Sequence, residues 1–103
     1  IEEKKQALLE NRKIFLEKIA DIRALKKTPI AEGAFYIFIE LDSNLNDNTL
    51  ALSLIEEYKV ATIPGSAFGT TNSCYLRLSY GALSTEKAYK GMERLSSGLN
   101  KIL

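Results

Sequence analysis

Residues 74–81 (CYLRLSYG) contain the side chain whose type and position most clearly suggest chemistry, Arg77. The stretch alternates as a half-buried strand does, with Arg77 between Tyr75 and Ser79 on one face and leucines on the other. A guanidinium in the middle of such a strand needs an anion, because burying an unpaired charge is costly. Arg77 could pair with a carboxylate of a helix, lie on an exposed sheet face, or wait for the carboxylate of a ligand. The pattern alone leaves these alternatives open.

Other residues that could carry chemistry have simpler structural explanations. The sequence contains no histidine, which removes the commonest metal ligand and the commonest general base near neutral pH. Cys74 therefore has no imidazole to activate it, and we expect it to pack in the strand. Gly65 and Gly69 lack the lysine and the following helix of a phosphate-binding loop. The adjacent Glu56 and Glu57 do not face each other on one helix. We predict no catalytic residue and no metal site in this chain.

The composition is that of an ordinary globular protein. At 103 residues, with 46% hydrophobic and 26% charged residues, the chain is expected to form a single domain (residues 1–103). A formal net charge of +1 gives no electrostatic reason to bind nucleic acid or an anionic membrane. A single cysteine cannot form an internal disulfide, so a reducing, cytoplasmic location is the simplest inference.

Hydrophobic periodicity indicates the elements that would position Arg77. Residues 2–25 repeat apolar side chains at three-, four- and seven-residue steps, which predicts one long amphipathic helix. Pro29 is expected to end it, because proline disfavours helical angles in the residue before it. Residues 30–33 are then expected to form a turn. Residues 34–41 are apolar on both faces, which predicts a strand that is covered on both sides or lies beside a second domain.

The second half of the chain predicts two more helices and two more strands. Residues 50–58 and the segment after Ser84 have helical periodicity, with Ser84 as the N-cap of the last helix. Residues 60–63 predict a short strand before a Pro-Gly turn, and residues 74–81 predict the central strand. The last helix is expected to bury Ala88, Met92, Leu95 and Leu99. The order helix-strand-helix-strand-strand-helix predicts an α+β domain with a small, mostly antiparallel sheet covered by helices.

The start of the sequence suggests a piece of a longer protein. It opens at Ile1 with no initiator methionine and runs at once into a helical pattern. We therefore expect apolar surface along the first helix and along residues 35–39, where the remainder of the protein would pack, and self-association of the isolated chain.

Three motifs in succession carry a resemblance to a known family. They are residues 33–36 (GAFY), residues 60–69 (VATIPGSAFG) and residues 75–80 (YLRLSY). In this order and spacing they resemble the C-terminal small domain of class I/II, fold-type I pyridoxal-phosphate aminotransferases, most of all the aspartate aminotransferase branch. Residues 91–95 (GMERL) also resemble the family's final helix, so that the resemblance extends over essentially the whole chain.

The resemblance implies a substrate contact. By it, Arg77 corresponds to the arginine that binds the α-carboxylate of the amino-acid substrate. A planar guanidinium suits that role, because it donates two parallel hydrogen bonds to one carboxylate. Gly33 and Phe35 fall where the family's small domain approaches the substrate, and residues 64–69 would shape the same side of the domain.

The resemblance also implies what this chain lacks. The family's Schiff-base lysine, the aspartate partner of the pyridine nitrogen and the phosphate-binding groups lie in a large domain, and no stretch here resembles them. We therefore expect this fragment to bind no pyridoxal 5'-phosphate and to be inactive alone. The full-length parent would transfer an amino group between an L-amino acid and a 2-oxo acid, as a homodimer. Residues 1–28 would form a spine helix entering from the large domain.

Two alternatives remain open at this point. One is a free-standing α+β binding or regulatory module with a similar small sheet. The other is the small domain of a related pyridoxal-phosphate synthase or lyase. The coding sequence upstream of this chain distinguishes the first alternative, and the products of the whole enzyme distinguish the second.

Overall fold

The computed structural model describes residues 2–26, 30–32, 36–65, 74–81 and 83–103. In chain order the elements are α1 (Glu2–Ile19), β1 (Ile30–Glu32), β2 (Tyr36–Leu41), α2 (Asp47–Tyr58), β3 (Ile63–Pro64), β4 (Cys74–Ser79) and α3 (Thr85–Ile102). The α+β class predicted from the sequence is confirmed.

The four strands form one sheet in the order β1-β2-β4-β3, and every neighbouring pair is antiparallel. The predicted antiparallel arrangement is therefore confirmed, but the sheet has one strand more than expected. The prediction of a turn over residues 30–33 is wrong for Ile30–Glu32, which pair with β2 as its edge neighbour. Three residues are too few to show a strand's two-residue period, so this strand depends on a pairing that the local sequence does not reveal.

Buried and more exposed side chains alternate along the two inner strands, β2 and β4. The sheet therefore has one buried face and one half-exposed face. The buried face packs with α1, α2 and α3 into one core, to which the strands contribute Ile37, Ile39, Leu41, Cys74, Leu76 and Leu78. We call the other side the open face, formed by Tyr36, Phe38, Ile63, Tyr75, Arg77 and Ser79. Burial of the leucines therefore places the guanidinium-bearing face of β4 away from the helix-covered core.

The first helix is shorter than its hydrophobic pattern suggests. We predicted a helix to residue 25, with Pro29 as its end, and this is wrong because α1 ends at Ile19. Tight turns follow, in which the Ile22 amide donates to the Ile19 carbonyl at 3.0 Å and the Leu25 amide donates to the Ile22 carbonyl at 3.3 Å. Ile22 still reaches the core, since steps of three residues suit such turns as well as a helix.

The side chain of Asn100, near the end of α3, holds the turn that follows α1. Its Oδ1 accepts a hydrogen bond from the Arg23 amide at 2.9 Å, and its Nδ2 donates to the Asp21 carbonyl at 2.9 Å. The Arg23 guanidinium in turn donates to the Asn100 carbonyl at 3.0 Å. These contacts join residues almost eighty positions apart, which explains why the end of α1 could not be read from its own segment.

Side-chain caps fix where the other two helices begin. Asn46 Oδ1 accepts from the amides of Asn48 and Thr49, so that α2 starts at Asp47, three residues before the predicted start. Ser84 Oγ accepts from the Lys87 amide at 3.2 Å, which confirms the predicted N-cap of α3. The predicted buried side of α3 is also confirmed: Ala88, Met92, Leu95 and Leu99.

Two glycines of α3 should respond to alanine in opposite ways. A Cβ at Gly98 would lie 2.9 Å from the Tyr58 ring of α2 and 3.2 Å from a Leu54 methyl group, whereas a Cβ at Gly91 would meet nothing within 4 Å. We expect Gly98→Ala to destabilise the fold by about 1–3 kcal/mol through overpacking. Gly91→Ala, the matched control, should stabilise it by about 0.5–1 kcal/mol through helix propensity. Urea unfolding of both variants measures this, and equal effects would contradict the close packing of α2 on α3.

Candidate functional site

Arg77 lies at the middle of the open face. Its backbone is paired on both sides, because Phe38 of β2 and Ile63 of β3 are its direct partners in the sheet. The side chain is half-buried, and its Cζ lies 3.6 Å from the centroid of the Tyr36 ring. The prediction that Arg77 shares a face with Tyr75 and is opposite to the buried leucines is confirmed by the alternation of burial along β4.

Aromatic side chains share the open face with the guanidinium of Arg77. The Tyr36 ring lies against it, with the ring centroid 3.6 Å from Cζ. Phe38 packs against Tyr75 with their ring centroids 5.3 Å apart and their planes at 58°. A guanidinium that meets a ring through one flat side can still donate two N–H groups to an anion that approaches in its plane.

Glu40 is a buried carboxylate on the same side of the sheet. It lies opposite Tyr75 in the β2–β4 pairing, and only 8% of its surface is exposed. The Nζ of Lys26 is 3.6 Å from its Oε2, and the Lys26 amide donates to the Glu40 carbonyl at 2.9 Å. Since the ammonium group is half-exposed, this ion pair adds little stability. It does attach the segment after α1 to the sheet.

Asn11 of α1 supports the end of β4, a role that we did not predict from the sequence. Its side chain is 1% exposed, and its Nδ2 donates to the carbonyls of Tyr80, at 3.3 Å, and Leu83, at 2.7 Å. The Tyr80 ring in turn meets Phe15 edge-on, with the centroids 5.6 Å apart. The signal was present: Asn11 falls four residues before Phe15, on the apolar stripe of the helix, where a polar residue needs an internal partner.

Several predicted positions lie outside the described residues. Gly33 and Phe35, expected near the substrate, are among them, and so are residues 66–69 of the predicted turn. Their roles remain predictions. The beginning of that turn is described, and Pro64 belongs to β3. The prediction of a strand over residues 60–63 is therefore wrong for residues 60–62, since β3 begins at Ile63.

Within the described residues, no three acidic, cysteine or histidine side chains are grouped closely enough to hold a metal ion. Across the same residues, none of the helices combines the length and the apolarity that crossing a membrane requires.

Sequence comparison assigns the chain to a family. A sequence model of the family described as "Aminotransferase class I and II" matches residues 1–95. The chain therefore belongs to the class I and II aminotransferases, and the resemblance seen in its motifs is confirmed at the level of the family.

Individual relatives are aminotransferases of archaea and bacteria. The chain is 35% identical over 101 residues to an aspartate aminotransferase of Pyrococcus horikoshii, covering 96% of this chain and 25% of the relative. It is 44% identical over 75 residues to a probable aspartate/prephenate aminotransferase of Aquifex aeolicus, covering 69% of this chain and 18% of the relative. The chain thus spans about a quarter or less of these relatives.

Solved structures show the same fold. The aromatic aminotransferase of Pyrococcus horikoshii superimposes with a TM-score of 0.82 at 31% identity, covering 99% of this chain and 27% of that one. The aspartate aminotransferase of Thermotoga maritima gives a TM-score of 0.75 at 31% identity, covering 92% and 24%.

Cys74 should be chemically inert in the folded chain. It is 1% exposed, and burial, with a smaller contribution from the charge of Asp47, raises the pKa of its thiol to about 11. Since the thiolate is the nucleophile, we expect alkylation by iodoacetamide at pH 8 to be about a hundredfold slower than in urea, from the pKa alone. Equal rates with and without urea would contradict this.

The same shift should make stability depend on pH. The unfolded thiol ionises near pH 9 while the folded thiol stays protonated to about pH 11, so the stabilisation is complete below pH 9 and is lost between these values. Relative to a Cys74→Ala variant, the native chain should lose up to about 1.4 kcal/mol per pH unit in that range. Chemical denaturation at pH 8, 9, 10 and 11 measures the free energy of unfolding of both proteins. If the two free energies changed with pH in parallel, the shift in the pKa of Cys74 would be contradicted.

Proposed function

We propose that this chain is the C-terminal small domain of a pyridoxal-phosphate-dependent aminotransferase, and that Arg77 binds the α-carboxylate of its substrates. The observation that carries the proposal is the position of Arg77: a guanidinium at the centre of the open face, against the ring of Tyr36, in a chain that belongs to the aminotransferase family.

One arginine can serve both halves of an amino-group transfer. The amino acid and the 2-oxo acid differ at Cα but carry the same carboxylate, which does not react. A rigid fork of N–H groups that binds this carboxylate therefore holds either substrate in one orientation. Lysine offers a rotatable point charge and cannot fix the plane of the carboxylate.

We propose that the remainder of the full-length enzyme binds the cofactor. Pyridoxal phosphate requires a lysine for its Schiff base and a charged partner, commonly an aspartate, for its pyridine nitrogen. A cavity of about 230 Å³ lies between the end of α2, β4 and α3, and it is lined by Lys59, Lys87, Thr62, Ser79 and apolar side chains, with no carboxylate. The lack of a carboxylate partner for the pyridine nitrogen in this cavity supports assigning the cofactor to the remainder of the full-length enzyme.

The open face suits contact with that remainder. It carries Tyr36, Phe38, Tyr75 and Ile63, and Ile63 is 42% exposed. A large domain closing over these side chains would bury apolar surface and exclude water from the carboxylate held by Arg77. In this proposal the parent is a homodimer, the isolated chain is inactive, and its uncovered apolar surface promotes self-association.

The relatives support transamination over the alternative chemistries of this cofactor, since both relatives described above are called aminotransferases. Product analysis of the full-length enzyme tests this directly: a 2-oxo acid formed in equal amount to the new amino acid indicates transfer. An upstream coding sequence that lacks a large domain would instead favour a free-standing module.

Replacing Arg77 in the full-length enzyme should abolish most carboxylate recognition. We expect Arg77→Ala to lower kcat/KM for the amino acid by an amount equivalent to about 2–5 kcal/mol, because a buried charge pair loses one partner. Arg77→Lys should also be strongly impaired, since it restores the charge without the fork. The exposed Arg94 of α3 provides the matched control, and Arg94→Ala should leave kcat/KM unchanged. Parent-like kinetics of either Arg77 variant would refute the assignment.

A further inference from the structure

Tyr36 lies against the guanidinium of Arg77, and the register of β2 and β4 brings these two side chains together. Register places Tyr36 opposite Ser79 and Arg77 opposite Phe38, so Tyr36 and Arg77 are diagonal neighbours on the open face. Diagonal neighbours in an antiparallel pair are within reach of long and aromatic side chains. Here the Cζ of Arg77 lies over the Tyr36 ring, 3.6 Å from its centroid, within the range of a cation–π contact.

The ring and a substrate carboxylate would use different parts of the guanidinium. The ring covers one flat side, whereas a carboxylate accepts hydrogen bonds from N–H groups that point outward in the plane. The two contacts therefore do not compete. An arginine side chain that is already held flat also loses less rotamer freedom when the carboxylate binds.

We infer that Tyr36 is a positioning residue, whose ring holds the Arg77 guanidinium in the orientation that receives the substrate carboxylate. This inference rests on the proposed role of Arg77. The attraction arises from the electron-rich face of the ring, which phenylalanine shares with tyrosine and leucine lacks. The ring, and not the hydroxyl group, is the functional part of this side chain.

The test compares an amino acid with the amine that has the same side chain and no carboxylate, both as donors for the full-length enzyme. The measured quantity is the ratio of their kcat/KM values, which reports carboxylate recognition and cancels general damage. We expect Tyr36→Leu to lower this ratio roughly fivefold to thirtyfold and Tyr36→Phe to change it less than about twofold. Tyr89→Leu is the matched control: Tyr89 of α3 also forms a cation–π contact, with Lys18 Nζ 4.6 Å from its ring centroid, but it lies away from the open face, so its replacement should leave the ratio unchanged.

Failure of the inference and failure of the proposed function give different results. If Arg77→Ala lowers the ratio and Tyr36→Leu does not, Tyr36 has no positioning role although Arg77 keeps its function. If Arg77→Ala leaves the ratio unchanged, the proposed function itself is wrong. Equal losses in Tyr36→Leu and Tyr36→Phe would assign the effect to the hydroxyl group and overturn the role of the ring.

A spectroscopic measurement keeps the inference testable if Tyr36→Leu does not fold. An aromatic ring shields protons that lie over its face, so the side-chain protons of Arg77 should resonate upfield of ordinary arginine protons. The shift should persist in Tyr36→Phe, with the signals assigned by their loss in Arg77→Lys. Ordinary chemical shifts for Arg77 in the folded protein would overturn the stack.

Discussion

The pairing of β2 with β4 is the constraint on which the rest of the structure depends. Six residues of each strand are in register, and this pairing fixes two faces at once. On one face isoleucines and leucines join the helices in a closed core, and on the other a guanidinium lies against the ring of Tyr36. A shift of β4 by one residue would exchange its two faces and bring Arg77 into the core. The energy that stabilises the fold therefore also places the candidate binding group.

Some elements could be predicted from the sequence because their determinants are local. The apolar stripe of the helix α3 is buried in the core, and the N-cap residue Ser84 immediately precedes the helix. The strand β4 shows its two-residue period without ambiguity, so the side of the sheet occupied by Arg77 followed from the sequence alone. The family resemblance came from short motifs, and the comparisons confirm it for residues 1–95.

Other elements depend on partners far along the chain. The turn that follows α1 is held by Asn100, and β1 pairs with the edge that β2 offers. The contact between Tyr36 and Arg77 has the same origin, since it requires the register of two strands nearly forty residues apart. Periodicity could show which residues share a face but not which of them touch. For Gly33 and Phe35 the family motif remains the only argument.

The attachment of Asn100 to the turn after α1 has a consequence for local unfolding. The final turn of a helix ordinarily frays, because its last carbonyl groups lack partners within the helix. Here the amide of Asn100 bonds to the backbone of Asp21 and Arg23, while α1 and α3 pack side by side. Opening of the last turn must therefore break the turn after α1 as well. We therefore expect the last turn of α3 and the turn after α1 to open together, so that amide hydrogen exchange in one segment follows the order of the other.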